Sequence, residues 1–255
     1  MLKDRASKMK GVVWLALACF IGVLFAFGLS PLAHVIPWSF EKRVGDFLAV
    51  SQKDSPNNPK AEAILQKLVN RIYPVSPSDK NFSIDVKVVK NPEVNAYATL
   101  GGRIYVNSGL LEQAESPEEL AGVLAHEITH VEHRHLMEGA LVHLATYEGI
   151  RLLFNSSSSP VEWANFFAKM SFTRSQEAEA DKGALMRLQK ASVDNRGFRR
   201  FFERMESSEK MPGFFSDHPA DSDRINMVKS FPNGHTTPIM TGEEWKILKN
   251  YGQSK

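Results

Sequence analysis

The chain has 255 residues, 43% of them hydrophobic, a formal net charge of +2 and a single cysteine, Cys19. Such a length and apolar content suit one cored domain with an appendage, and a near-neutral chain with no basic cluster interleaved with aromatics points away from nucleic acid. One cysteine excludes an internal disulfide framework and a cysteine-ligated metal site.

The appendage is the N-terminus. Gly11 to Ser30 carries no charged residue and is rich in Leu, Val, Phe and Ala. A helix of that length rises about 30 Å, enough to cross a bilayer. The residues before it hold Lys3, Arg5, Lys8 and Lys10 against Asp4 alone. That excess predicts a cytoplasmic flank over 1–10, a transmembrane signal-anchor over 11–30, and residues 31–255 sent outward as one domain. Two other readings stay open: a cleaved signal ending near Ala26-Phe27-Gly28, and a lipoprotein built on Cys19.

Pro31 and Pro37 end the apolar helix. Helices are predicted over 40–50 and 59–73, parted by the polar turn Ser55-Pro56-Asn57-Asn58-Pro59. Residues 82–89 alternate like a half-buried strand, and Arg103 to Asn107 reads as a second strand that leads into a short helix from Ser108. Asn95, Ala96, Tyr97 and Ala98 begin a segment that could serve as a sheet edge for a peptide. There Gly101-Gly102 permits either close backbone approach or a plain hairpin turn.

Ser116-Pro117-Glu118-Glu119 is a helix start with capping-box spacing. Leu120, Val123, Leu124, Ile128 and Val131 then recur at helical steps, and the helix is predicted to run past Met137. Asn155 to Pro160 reads as a loop. Trp163, Phe166, Phe167 and Met170 follow at i, i+3, i+4 and i+7, as a packed helix over 161–170 or as a mobile lid. Helices over 174–190, 194–208 and 219–230 complete the chain, and Met211 to Phe215 lines either core or cleft. The expected class is α+β, mostly helical with a small sheet.

Within the 116 helix stands His126-Glu127-Ile128-Thr129-His130. Residues i and i+4 share a helical face, so both imidazoles can reach one metal, and Glu127 can lie beside a metal-bound water. A catalytic zinc usually takes three protein ligands and keeps a fourth position for water. His133 lies roughly 10 Å along the axis from His126, too far for a compact site on one straight helix. His135 and His143 are expected on or near the surface. Leu136 stands where a metzincin would need its third histidine. Downstream, Glu177 and Asp181 share a face at i and i+4. A glutamate can ligate zinc, and an aspartate one turn on can accept a proton from a ligand histidine. An ordinary acidic first turn, favoured by the helix dipole, is the competing explanation, and it fits Glu179.

These residues carry a resemblance. HEITH followed by Phe-Thr-Arg-Ser-Gln-Glu-Ala-Glu-Ala-Asp is similar to the zinc metallopeptidases related to HtpX and the CAAX prenyl proteases, a gluzincin-type family. In layout the chain resembles its single-anchor bacterial envelope members, such as BepA and LoiP. Asn95 to Val106 resembles the family's strand before the zinc helix, and His218-Pro219 with Arg224-Ile225 resembles its late His-Pro and Arg element. The likeness spans roughly residues 38 to 230. It implies one Zn2+ per chain held by His126, His130 and Glu177, with Glu127 as general base. It also implies Asp181 as the partner of a ligand histidine, and His218 and Arg224 near the metal. His218 is the candidate to steady the oxyanion, set against a His-Pro turn that caps the next helix. Arg174 is expected to support the site as an ion-pair partner.

The implied activity is a zinc metalloendopeptidase, anchored in the bacterial inner membrane with its catalytic domain in the periplasm, acting on unfolded or misassembled envelope proteins. A zinc-bearing chaperone or assembly factor with little turnover is the alternative. A prenyl-protein processing enzyme would call for several spans, where this chain offers one.

Overall fold

The computed structural model describes residues 30–49, 58–74, 83–144, 171–207 and 221–253, with Arg151, Asn155, Ser159, Glu162, Phe214 and His218. The predicted anchor lies outside the described residues except for Ser30, and the 161–170 helix or lid and most of 211–215 lie outside them too. Among the described residues, no helix is long and apolar enough to cross a membrane.

The architecture is α+β. Helices α1 (Ser30–Val35), α2 (Trp38–Ala49) and α3 (Pro59–Ile72) precede strands β1 (Asp85–Val89), β2 (Ala96–Thr99) and β3 (Arg103–Asn107). Then come α4 (Ser108–Gln113), α5 (Pro117–Glu132), α6 (His135–Leu144), α7 (Arg174–Lys190), α8 (Arg196–Ser207), α9 (Ser222–Ser230) and α10 (Gly242–Gln253). The sheet runs β1-β3-β2, with β1 parallel and β2 antiparallel to β3. β2 is therefore an edge strand.

The turn between β2 and β3 settles what the glycine pair does. Gly101 and Gly102 have φ of 83° and 78°, a region glycine enters at no steric cost. A Cβ on Gly102 would sit 2.3 Å from Ser83 O, and one on Gly101 would sit 3.0 Å from Lys42 Cα. The close approach anticipated for a substrate strand is made instead by the chain's own backbone, in a hairpin turn.

α5 sits at the centre. The sequence pattern gave it one buried face, yet every residue from Glu119 to Val131 is buried, because α3, α6, α7, α8 and the sheet all pack around it. Its N-cap is the predicted Ser116, whose hydroxyl accepts from Glu119 N–H at 3.2 Å. The Glu119 carboxylate reaches one residue further back than a capping box requires, to Glu115 N–H at 2.9 Å, and also pairs with Arg204.

The helix does not run past Met137. His133 caps α5, Arg134 turns into the left-handed region at φ 64°, and α6 starts afresh at His135. The Arg134 guanidinium holds the break in place, donating to Ile36 O at 2.9 Å and pairing with the buried Glu41 at 3.0 Å.

α7 lies against α5 at close range because Gly183 faces Thr129, where a Cβ would come within 2.4 Å of Thr129 Cγ2. Thr173 and Gln176 form a reciprocal capping box that fixes its first turn. That start sets the rotation of α7 and turns Glu177 and Asp181 toward the α5 histidines. The C-terminal helix α10, absent from the sequence reading, packs on α4.

Candidate metal centre

Four donor groups from three segments converge inside the protein. His126 and His130 come from α5, Glu177 from α7 and His218 from the segment before α9. All four are buried, and one ligand atom from each lies within 4.8 Å of every other. His126 Nε2 is 3.0 Å from His130 Nε2 and 3.5 Å from Glu177 Oε2, and His130 Nε2 is 3.5 Å from Glu177 Oε1. A tetrahedral zinc with ligand bonds of 2.0–2.1 Å requires donor-to-donor edges of roughly 3.3 Å.

Hydrogen-bond accounting leads to the same chemistry. A hydrogen on His126 Nδ1, 2.9 Å from Asp181 Oδ1, leaves Nε2 as the ligating lone pair. Burial first, then the neighbouring His126, His218 and His135, push the His130 pKa well below the usual histidine range, which favours the uncharged form that a metal ligand needs. With a bare Nε2 on each ring, two imidazoles 3.0 Å apart beside the buried Glu177 carboxylate form a pocket that a cation fits. The donor set of two imidazoles and a carboxylate suits zinc.

Behind the donors stands a charged bracket. Arg224 Nε donates to Asp181 Oδ2 at 2.6 Å, its Nη2 pairs with Glu177 Oε2 at 2.9 Å, and its Nη1 donates to His218 O at 3.2 Å. Burial would raise both carboxyls. It is outweighed at Asp181 by hydrogen bonds from His126 and Arg224 with their charges, and at Glu177 by His218, His126 and Arg224; both are held below the usual carboxylate range. Arg224 is itself 2% exposed, so its buried charge is set directly against the Asp181 and Glu177 carboxylates.

Glu127 is placed differently. One carboxylate oxygen, Oε2, accepts the N–H of Ala98 on edge strand β2 at 2.9 Å. The other, Oε1, makes no hydrogen bond and lies 3.5 Å from His218 Nε2. Burial raises the Glu127 pKa, against the opposing charges of His218 and His126. Burial also works against a charged His218, but the carboxylates of Glu127 and Glu177 outweigh it and raise the His218 pKa.

The remaining expected residues divide. Ala96, Tyr97 and Ala98 lie on β2, with Ala98 touching Glu127; Asn95 precedes the strand and its carbonyl accepts from Asn107 N–H at 3.1 Å. Tyr97 stacks on Tyr105 with ring centroids 5.4 Å apart. Arg174 opens α7 as an exposed residue, and among the described residues no ion pair to it is seen, so nothing links it to the donor group.

Neither His135 nor Phe172 was expected beside the metal donors, and Phe214 only as one of two options, core or cleft. His135, expected at the surface, is 3% exposed, and its Nδ1 lies 3.1 Å from His130 Nδ1. On a continuous helix, five residues from His130 would turn it about 140° away; the break at Arg134 swings it back. Phe172 covers His130 with ring centroids 4.0 Å apart, and Phe214 stacks on His218 at 4.6 Å. No sequence signal separates such aromatic walls from ordinary core.

Comparison with known proteins gives the same picture. The chain is 32% identical over 187 residues to a putative beta-barrel assembly-enhancing protease of Vibrio cholerae, covering 66% of this chain and 38% of that protein. It is 26% identical over 203 residues to the mitochondrial metalloendopeptidase OMA1 of Schizosaccharomyces pombe, covering 73% of this chain and 59% of the relative. A beta-barrel assembly-enhancing protease of Escherichia coli matches at 25% over 225 residues, covering 80% and 46%. The chain thus spans less than two thirds of the length of each of these relatives. Residues 57–231 match the profile of peptidase family M48. With that match over most of the chain, the chain belongs to peptidase family M48, and its buried donor set is one that fits zinc.

Proposed function

We propose that this protein is a membrane-anchored endopeptidase that hydrolyses peptide bonds of misfolded or misassembled bacterial envelope proteins, with His126, His130 and Glu177 as zinc ligands. The observation that carries the proposal is Glu127. It is buried next to His126 and about one turn before His130, with one oxygen fixed by Ala98 N–H and the other free of hydrogen bonds. A metal-bearing scaffold has no need of such a group.

His126, His130 and Glu177 would hold the zinc, which would supply Lewis-acid chemistry: a more acidic bound water and a polarised scissile carbonyl. Glu127 Oε1 takes the proton of the attacking water and later delivers it to the leaving amine. The raised Glu127 pKa suits a group that must both accept and release that proton. His218, whose Nε2 lies 3.5 Å from Glu127 Oε1 and whose pKa the Glu127 and Glu177 carboxylates raise, is placed to donate to the developing oxyanion, where a donor is worth about 3 kcal/mol. Arg224 orients it by holding its carbonyl, and Asp181 fixes the His126 ring. The substrate backbone lies along edge strand β2, as peptides add to open sheet edges.

The apolar run over 11–30 with its basic flank supports the anchor and the periplasmic placement. The substrate class is supported by the names of the bacterial relatives. Full-length protein in lipid vesicles, offered an unfolded and a folded outer-membrane barrel protein, tests this reading. Cleavage of the unfolded form, stopped by a zinc chelator and restored by zinc, is expected. Zinc-loaded protein that cleaves neither would overturn it.

A further inference from the structure

Beyond the metal centre, the break after α5 gathers a second set of donors. His133 caps the helix and His135 begins the next one, and both rings face Glu179 on α7. His135 Nε2 lies 3.4 Å from Glu179 Oε2, and His133 Nδ1 lies 3.5 Å from the same oxygen. One ligand atom from each of the three residues falls within 4.8 Å of the others. They line an open pocket of about 590 Å³. Two further carboxylates on its wall are engaged: Glu132 pairs with Arg187, and Glu138 accepts from Gln176 Nε2 at 2.8 Å.

We propose that His133, His135 and Glu179 form a second zinc site, and that its occupancy and that of the His126–His130–Glu177 site oppose one another through His130 and His135. Two imidazoles and a carboxylate suit zinc, and the observed separations of 3.4 and 3.5 Å again match a tetrahedral edge. The open pocket leaves the fourth position to water. His133 and Glu179 have side chains 43% and 53% exposed, so the outer site is the weaker of the two.

The opposition follows from hydrogen positions and rests on His130 being a ligand of the inner metal. Only one hydrogen fits between His130 Nδ1 and His135 Nδ1, which are 3.1 Å apart. For His130 Nε2 to ligate, the neutral ring must carry its hydrogen on Nδ1 and donate it to His135. His135 then carries its own hydrogen on Nε2, aimed at Glu179. A metal on His135 Nε2 moves that hydrogen to Nδ1, so His135 no longer accepts from His130, and His130 keeps Nε2 for the inner metal only by losing the partner of its Nδ1–H. Loss of an outer partner of a ligand histidine weakens metal binding by about 10- to 100-fold. By linkage, the inner metal weakens the outer site by the same factor.

Equilibrium dialysis of the full-length protein in detergent against buffered zinc, with metal counted by mass spectrometry, tests the site and the coupling. Wild type should bind two zinc ions per chain, the second at higher zinc and with loss of peptidase activity. His133→Ala should bind one, and its inhibition by zinc should move to at least about tenfold higher concentration. Glu177→Ala, which loosens the inner metal, should tighten the outer site. A second zinc retained in both His133→Ala and Glu179→Gln, or a single zinc in wild type, would overturn the site. Outer affinity unchanged in Glu177→Ala, while its inner zinc is weakened, would overturn the coupling. Tight inner zinc left intact by Glu177→Ala would instead contradict the assigned inner ligands, with the His133→Ala count still deciding the outer site.

Discussion

Asp181 faces two buried nitrogen partners at once, His126 Nδ1 at 2.9 Å and Arg224 Nε at 2.6 Å. It fixes the ligand tautomer of His126 and holds the guanidinium that in turn pairs with Glu177. Asp181→Asn keeps the shape and loses the charge, so zinc affinity should fall about 10- to 100-fold, as chelator competition would measure. An unchanged affinity would mean the bracket is only packing. The ligand pairs were legible in sequence because they depend on one helical turn: 126 with 130, and 177 with 181. His135 was not, because its placement depends on a left-handed residue at Arg134, a conformation that arginine adopts only under tertiary constraint. His218 was legible only by resemblance, since nothing local in a His-Pro pair announces a partner 41 residues upstream.

Elements position these residues by a few close contacts. The break between α5 and α6 depends on the Arg134–Glu41 pair, in which Glu41 is 1% exposed. Arg134→Met would strand that carboxylate, and unfolding in denaturant should show a loss of about 3 kcal/mol. Burial, the dominant influence, raises the Glu41 carboxyl above its ordinary 4.5, while Arg134 and Gly101 N–H work the other way. A carboxyl raised on folding contributes stability that is fully present below 4.5 and is lost as pH rises through its native value. Glu41→Gln should therefore flatten the dependence of unfolding free energy on pH above 4.5; a parallel wild-type curve would contradict this. At the α5–α7 contact, Gly183→Ala would bring a methyl within 2.4 Å of Thr129 and push α7 away from the histidines. Its zinc affinity should fall along with its melting temperature. The helices themselves were readable from periodicity and caps. Their mutual approach through a single glycine was not, because a glycine inside a helical pattern looks the same whether it faces solvent or a neighbour.

Across the whole molecule, the zinc helix is central and everything else walls it in. The apolar period of α5 exposed one core face, but the full burial of residues 119–131 comes from surrounding elements distant in sequence. α10 escaped the sequence reading for a related reason: it is a charged helix whose anchoring residues, Leu248 and Tyr251, stand among Lys, Glu and Asn. Leu248 is fully buried, so Leu248→Ala should cost about 2–5 kcal/mol by calorimetry or denaturant unfolding. The central claim concerns one carboxylate at the middle of that assembly, and Glu127→Gln tests it most directly. Full-length wild type and variant should carry the same zinc per chain, while cleavage of an unfolded protein falls by at least about 100-fold in the variant. Equal zinc with equal cleavage would contradict Glu127 as the base.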